Sequence, residues 1–327
     1  MACDPVLTFT DRGIYCPAGD FHIDPWRPVD RALVTHGHAD HARWGHRRYL
    51  ATEPAAPVMR HRLGDIALET TRYGERRRIG DATVSYHPAG HIPGSAQIRV
   101  EVGGEVWVVS GDYKIEADGL SEPFEPVRCH AFVTECTFGL PVFKWAPQRE
   151  VVAEIEAWWR ANAAAGRASV LGAYALGKAQ RVLASVDPSI GPILTHGAVE
   201  ATNAILRAQG LDLPQTVPVT AETKGADHPG ALVLATPSAL GTPWMRRFGA
   251  ASTAFASGWM RLRGVRRRRA ADRGFVMSDH ADWTGLNAAI AETGAERVFV
   301  THGYTAQFRA WLAAQGFDAA IVETDYE

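Results

Sequence analysis

Cysteine is scarce in this chain. Only Cys3, Cys16, Cys129 and Cys136 occur in 327 residues, and no two form a C-x-x-C pair. That spacing excludes a disulfide framework and a zinc knuckle and fits a reducing cytoplasm. Long apolar runs are missing too, and none approaches the roughly 18 residues expected of a membrane span. The N-terminal stretch MACDPVLTFTDRG has no basic start ahead of an apolar core, so no signal peptide is expected. The net charge is only −2, so a nucleic-acid partner would have to be held by a local basic stripe. Short-period repeats and low-complexity segments are absent as well. What remains is an ordinary globular composition, 46% hydrophobic and 21% charged. At roughly 150 residues per domain, the length suggests about two domains.

One pattern recurs: a short apolar strand that ends in a polar cluster. Ala32–Leu33–Val34 runs into His36, Val106–Val109 into Asp112, and AFVTEC into Glu135. TVSYHPAGH leads through Pro88 to His91, GFVMSDHAD ends at Asp279 and His280, and RVFVTHG ends at His302. Valine-rich runs bounded by Gly, Pro or Asp predict buried strands. Loops at strand ends are where layered α/β folds build sites. The middle of the chain reads differently. PQREVVAEIEAWWRANAAAG is a helix stopped by Gly166, and strand–helix alternation follows it. This predicts a parallel sheet in a second α/β domain over residues 141–250, inserted into a first domain made of residues 1–140 and 251–327.

The densest chemistry is THGHADHARW at residues 35–44. His36, His38, Asp40 and His41 form H-x-H-x-D-H. Alternate side chains of an extended stretch share a face, so His36 and His38 can grip one ion while Asp40 and His41 face a second. His91, Asp112 and His302 can supply the remaining donors from other strand ends. Imidazole with carboxylate suits zinc, and also manganese or iron. Asp112 has two oxygens and can bridge two ions. Two ions roughly 3.5–4 Å apart can clamp the attacking and leaving oxygens of a phosphoryl displacement. A lone histidine is more often structural than a ligand, and Asp112 alone could be a helix cap. It is the combination that points to metal.

H-x-H-x-D-H, then GHIPGSAQ, then SGD resembles the metallo-β-lactamase fold. The resemblance implies an α/β protein, a four-layer αββα sandwich with two divalent metals at the strand ends. TECTF, an inserted α/β domain, SDHAD and VTHG together are similar to its β-CASP nuclease branch. Within that branch, the YCPAGDFHIDPWRPVDRALVTHGHADH and GWM…RGFVMSDHADW segments look most like bacterial DNA ligase-associated exonucleases, relatives of the Artemis-type repair enzymes. By this resemblance His36, His38 and His91 hold one metal, zinc or manganese. Asp40, His41 and His302 hold the other, and Asp112 bridges. Glu135 orients His280, which contacts the scissile phosphate and can protonate the leaving oxygen, while Asp40, Asp112, Glu135 and His280 form the catalytic set. The implied activity is exonucleolytic hydrolysis of DNA, 5′→3′ by analogy, in the cytoplasm, in functional association with a DNA ligase and a helicase. One departure stands out. Artemis-type enzymes have valine where His302 stands, and RNA-processing members have histidine. The alternatives are thus an RNA-processing nuclease, a small-molecule metallo-hydrolase, and an inactive nucleic-acid-binding subunit.

The triplet Thr-His-Gly recurs at 195–197, outside the family's ligand pattern. His196 is therefore either a substrate-phosphate contact or, more often for such a residue, a turn histidine. GAYALGKA at 172–179 nearly matches a P-loop, but position 179 is alanine and lacks the hydroxyl that would hold magnesium. Nucleotide hydrolysis is rejected. Lys178 at this helix start is either a phosphate contact or a solvated lysine. RLRGVRRRR at 261–269, beside SGWM at 257–260, and RYGERRR at 72–78 are basic candidates. Ser257, Arg261 and Arg263 are the candidate phosphate contacts there, against the plainer reading of a solvated face. Trp44 and Trp283 follow ligand loops and could stack a base, but core packing is the commoner role.

Overall fold

The computed structural model describes residues 5–264 and 271–324. The chain divides into two units, Met1–Lys144 with His280–Glu327, and Trp145–Asp279.

In the first unit a six-stranded sheet takes its strands in chain order. They are β1 (Thr8–Thr10), β2 (Gly13–Cys16), β3 (Phe21–Ile23), β4 (Arg31–Leu33), β5 (Arg48–Thr52) and β6 (Leu68–Thr71). A second sheet begins with β7 (Arg77–Ile79), β8 (Ala82–Pro88), β9 (Ala96–Val102), β10 (Glu105–Val109) and β11 (Ala131–Cys136).

The second unit carries a sheet in which every pairing is parallel, as strand–helix alternation predicts. Its strands are β12 (Ser169–Gly172), β13 (Ile193–Thr195), β14 (Val217–Pro218), β15 (Leu232–Ala235), β16 (Ser252–Ala256) and β17 (Arg273–Phe275). The long helix runs Gln148–Ala164, and Gly166 follows at φ 67° where the chain turns. The second boundary falls later than residue 251, because β16 and β17 extend this parallel sheet rather than the first unit's sheets. The chain then returns to the first unit's second sheet with β18 (Arg297–Gly303) and β19 (Asp318–Ile321), giving the order β19-β18-β11-β10-β9-β8-β7.

Period-two patterning decides what each strand of the first unit buries. Leu33 and Leu50 join Val84, Ile98, Trp107, Val109 and Val133 in one cluster shared by the two sheets. Their neighbours point the other way. Ala32, Val34, Tyr49 and Ala51 pack with Met59 of the helix Ala56–Leu63. Val106, Val108, Phe132, Val298 and Val300 pack with Leu286 and Ile290 of the helix Trp283–Thr293, and with Phe308 and Leu312 of the helix Thr305–Ala314. Burying each Val, Leu or Phe contributes about 1.5–3 kcal/mol, so these faces fix the register of every strand.

That register brings the ligand-type residues together. β8, β10, β11 and β18 point the same way, since β8 and β10 are each antiparallel to β9 while β10, β11 and β18 are mutually parallel. His91 and Asp112 follow the C-terminal ends of β8 and β10, and Glu135 and His302 lie in the last two residues of β11 and β18. Between β11 and β18 the register slips: Glu135 faces Thr301 and Cys136 faces Gly303. His302 is thus the extra residue of a bulge, at φ 57°, and bulges re-aim a side chain.

Gly90 lets the His91 turn lie against the chain after Asp112. Its φ is +73°, and a Cβ there would stand 2.1 Å from the Lys114 carbonyl oxygen. Lys114 in turn donates its N–H to the Ala89 carbonyl at 3.0 Å. Gly90→Ala is expected to lower unfolding free energy by about 1–3 kcal/mol or more, since backbone strain of this kind costs that much before the clash is counted. Urea denaturation measures it, and an unchanged midpoint would contradict the packing described.

Candidate metal centre

Three groups of donors lie within 4.8 Å of one another: His36, His38, His91 and Asp112; Asp40, His41 and His302; and Asp112, Glu135 and His280. Every metal-ligand and catalytic position expected from the sequence therefore falls in one of three adjoining clusters of the first unit. Most are deeply buried. His36, His41, His91, Asp112 and Glu135 are each 5% exposed or less, while the Asp40 side chain is half exposed.

The first group has the spacing expected of ligands that share one cation. His38 Nδ1 stands 3.2 Å from His36 Nε2 and 3.0 Å from His91 Nε2. Asp112 Oδ2 lies 3.5 Å from His36 Nε2 and 3.7 Å from His91 Nε2. Four ligands held tetrahedrally at the usual zinc distances would stand roughly 3.3 Å apart. Thr35 fixes one tautomer. Its hydroxyl donates to Asp24 Oδ2 at 2.6 Å, so its oxygen must accept from His36 Nδ1 at 3.0 Å. His36 Nε2 then carries a lone pair and no proton, and it points into the group.

Asp112 faces both ways. Its Oδ1 lies 3.5 Å from His41 Nε2, is fully buried and has no hydrogen-bond partner among the described residues. A buried carboxylate oxygen left so is costly in a protein interior, and a cation would satisfy it. The donor set fits divalent ions on both sides of Asp112.

Burial disfavours the His36 cation, and the neighbouring His41 charge adds to this, so its pKa falls well below the ordinary imidazole value. Burial acts the same way on His41, but Asp112 and Asp24 outweigh it and hold its pKa well above that value. Burial would raise Asp112, yet His41, His280 and His36 pull it well below the usual carboxylate range. His302 drops to about 4 through burial and the His41 charge. Neutral imidazole and ionised carboxylate are the forms that donate to a metal.

Asp24 is the residue that sequence reasoning missed. It is 2% exposed and sits at φ 43°, a left-handed conformation that Asp tolerates better than most residues. It accepts from Thr35 N at 2.8 Å, the Thr35 hydroxyl, and His41 Nδ1 at 2.7 Å. It thereby turns both His36 and His41 so that their Nε2 atoms face Asp112. Its only sequence signal was an acid between strand FHI and a proline.

Glu135 holds His280. Both carboxylate oxygens lie 2.9 Å from His280 Nδ1. The carboxylate is itself fixed by the Tyr113 N–H at 2.9 Å and the Thr137 hydroxyl at 2.5 Å. The His280 ring packs 4.7 Å from His91, centroid to centroid, with its side chain 21% exposed.

The phosphate-contact candidates lie in the second unit. His196 caps the helix Gly197–Ala208, its Nδ1 accepting from Ala198 N at 3.1 Å, and its ring sits edge-on to Trp244. Ser257 accepts from Trp259 N as a cap. Lys178 is not a solvated lysine. It is 3% exposed and paired with Asp279 at 2.9 Å, beside Arg181, which reaches the same carboxylate at 3.1 Å. Arg261 and Arg263 are exposed, and the run from position 265 to 270 lies outside the described residues. Trp44 corrects another expectation. It is 76% exposed rather than packed in the core, whereas Trp283 packs against Phe308 and Trp311.

No family model matches the chain. A protein named probable DNA ligase from Opitutus terrae is 29% identical over 317 residues, 96% of this chain and 31% of its own length. A ribonuclease of Thermus thermophilus is 29% identical over 191 residues, 50% of this chain and 44% of its own. An RNase J-like protein of Methanocaldococcus jannaschii is 24% identical over 250 residues, 63% of this chain and 57% of its own. The chain thus spans between about a third and somewhat over half the length of these relatives. Among solved structures, a protein of unknown function from Enterococcus faecalis superposes with a TM-score of 0.60 at 10% identity, over 85% of this chain and 76% of that one.

Asp24→Ala is expected to cost on the order of 3–5 kcal/mol, because it strands a buried imidazole and two buried donors at once. Chemical denaturation measures it, and a loss below about 1 kcal/mol would show that Asp24 does not hold this frame.

Proposed function

We propose that this protein is a two-metal phosphodiesterase acting on nucleic acid, an exonuclease of the β-CASP branch of the metallo-β-lactamase fold. The carrying observation is Asp112, whose two buried oxygens face separate histidine groups while the Glu135–His280 pair adjoins them. The core clusters support the fold assignment: helix, sheet, sheet and helices succeed one another as in an αββα sandwich. The relatives named ribonuclease and RNase J-like support a nuclease, and the one named probable DNA ligase supports a link to DNA joining.

In this reading His36, His38 and His91 hold one divalent ion, zinc or manganese, and Asp40, His41 and His302 the other. When bound, such a pair supplies a hydroxide at neutral pH and charge for the developing transition state. The chain's own residues do the rest. Asp112 and Asp24 fix the ligand rings. Glu135 accepts the His280 Nδ1–H, and beside that carboxylate the ring can carry a second proton on Nε2, the one it would give to the leaving oxygen. General acid help of this kind is worth roughly 10²–10⁴-fold. Trp44, exposed three residues after His41, offers a ring on which a base can stack, an interaction worth roughly 1–3 kcal/mol. Arg261 and Arg263 are assigned to backbone phosphates, while the ion pair with Asp279 leaves Lys178 out of that role.

DNA is favoured as substrate because the resemblance to ligase-associated exonucleases runs along nearly the whole chain. The second reading, an RNA-processing enzyme, has a specific observation behind it: His302 stands in the second donor group, as in RNA-processing members. No helix among the described residues is long and apolar enough to cross a membrane.

The test is a cleavage assay with matched single-stranded DNA and RNA, 5′-phosphorylated and 3′-labelled, in Mn²⁺ or Zn²⁺. A DNA ladder shortening from the 5′ end, abolished by Asp112→Ala and reduced roughly 10²–10⁴-fold by His280→Ala, is expected. Preference for RNA would replace the DNA reading with the processing one. Cleavage of neither strand would overturn both.

A further inference from the structure

The basic run RYGERRR is not used by the metal centre, and the structure gives it a place. Arg77 and Arg78 line a pocket of about 250 Å³ together with Arg31, Arg48 and Glu69. Arg31 and Arg48 stand side by side in the register of β4 and β5. Like charges so placed repel each other.

The local carboxylates do not balance this pocket. Asp30 pairs with both Arg47 and Arg48, Glu69 pairs with Arg77 at 3.0 Å, and Asp81 pairs with Arg78 at 3.3 Å. Arg31 has no ion pair or side-chain hydrogen bond among the described residues, and Arg48 Nε is buried without a partner. Four guanidiniums line the pocket, and Asp30, Glu69 and Asp81 pair with three of them, which leaves Arg31 as surplus positive charge.

The pocket is remote from the metal centre. Arg31 and Arg48 open their strands, whereas His36 follows the other end of β4. Five residues of chain span at most roughly 16 Å, and the two lie at opposite ends of β4. At the same end, Arg77 pairs with Val84 near the start of β8, far from His91.

We propose that this pocket is a second binding site, for the phosphate group of a phosphate ester. A guanidinium presents a planar fork matched to pairs of phosphate oxygens. A phosphate monoester carries close to two negative charges at neutral pH and has oxygens in several directions. Oxygens in several directions match guanidiniums arriving from β4, β5 and β7. A carboxylate brings its two oxygens in one plane and does not. The ester is either a backbone phosphate of a bound nucleic-acid strand, which rests on the reading above, or a free phosphorylated small molecule, which does not.

The test uses the full-length, metal-loaded protein and inorganic pyrophosphate as probe, followed at the arginine Nε–H resonances by NMR. Titration is expected to shift Arg31, Arg48 and Arg77. Arg31→Ala should weaken the response at Arg48 about ten-fold or more, the loss expected for one charge-assisted fork, and Arg31→Lys should restore it only in part. Arg78→Ala provides an independent second variant. No shift at Arg48 and Arg77, or equal affinity in the wild type and both alanine variants, would overturn the proposal. Hydrolysis-resistant phosphorothioate strands then separate the sources. If a strand is the ligand, Arg31→Ala weakens its binding and lowers the salt slope by about 0.7. If strand binding is unchanged while pyrophosphate binding is lost, the site takes a free phosphate ester. The pyrophosphate result stands whether or not the chain cleaves nucleic acid.

Discussion

The first unit is organised around one buried carboxylate that cannot satisfy itself. Asp112 sits among His36, His41 and His91 with one oxygen toward each side, and its Oδ1 has no hydrogen-bond partner among the described residues. An interior carboxylate in that state is costly unless cations face it. Asp112 and Asp24 hold the His41 pKa well above the ordinary imidazole value, which favours positive charge on that side of Asp112. Two divalent ions would supply positive charge more fully, and the lowered pKa values of His36 and His302 favour the neutral form that accepts them.

The surrounding structure keeps these donors from relaxing away from one another. Asp24 and Thr35 lock the orientation of two rings through a chain of hydrogen bonds. A bulge opposite Glu135 and Cys136 turns His302 inward. The alternating burial of β4, β5, β10 and β11 fixes the strand ends from which the loops start. The ligand-type residues gather at one end of the strands, and the arginine pocket lies toward the opposite end of the same strands.

Much of this was legible in the sequence because it depends on local spacing. H-x-H-x-D-H announces its own geometry, and valine-rich runs ending in Asp, Glu or His mark strand ends. The parallel sheet of the second unit followed from strand–helix alternation. What was not legible depends on contacts between distant segments. Asp24 gains its role only because Thr35 and His41 fold against it. Lys178 reads as a surface lysine at a helix start until Asp279, far along the chain, closes on it. The second boundary was placed early because β16 and β17 carry no local signal of which sheet they join. Trp44 was expected to be buried on general grounds, and nothing in its neighbours predicts 76% exposure. Arg31 and Arg48, seventeen positions from each other, meet only through sheet register.

The central claim is that Asp112 joins two ion sites. The most direct measurement is the number of ions bound per chain, by native mass spectrometry after loading with Zn²⁺ or Mn²⁺. The account predicts two ions in the wild-type protein, one after His302→Ala and a marked loss of both after Asp112→Ala. A single ion in the wild type, or two that survive Asp112→Ala, would contradict it.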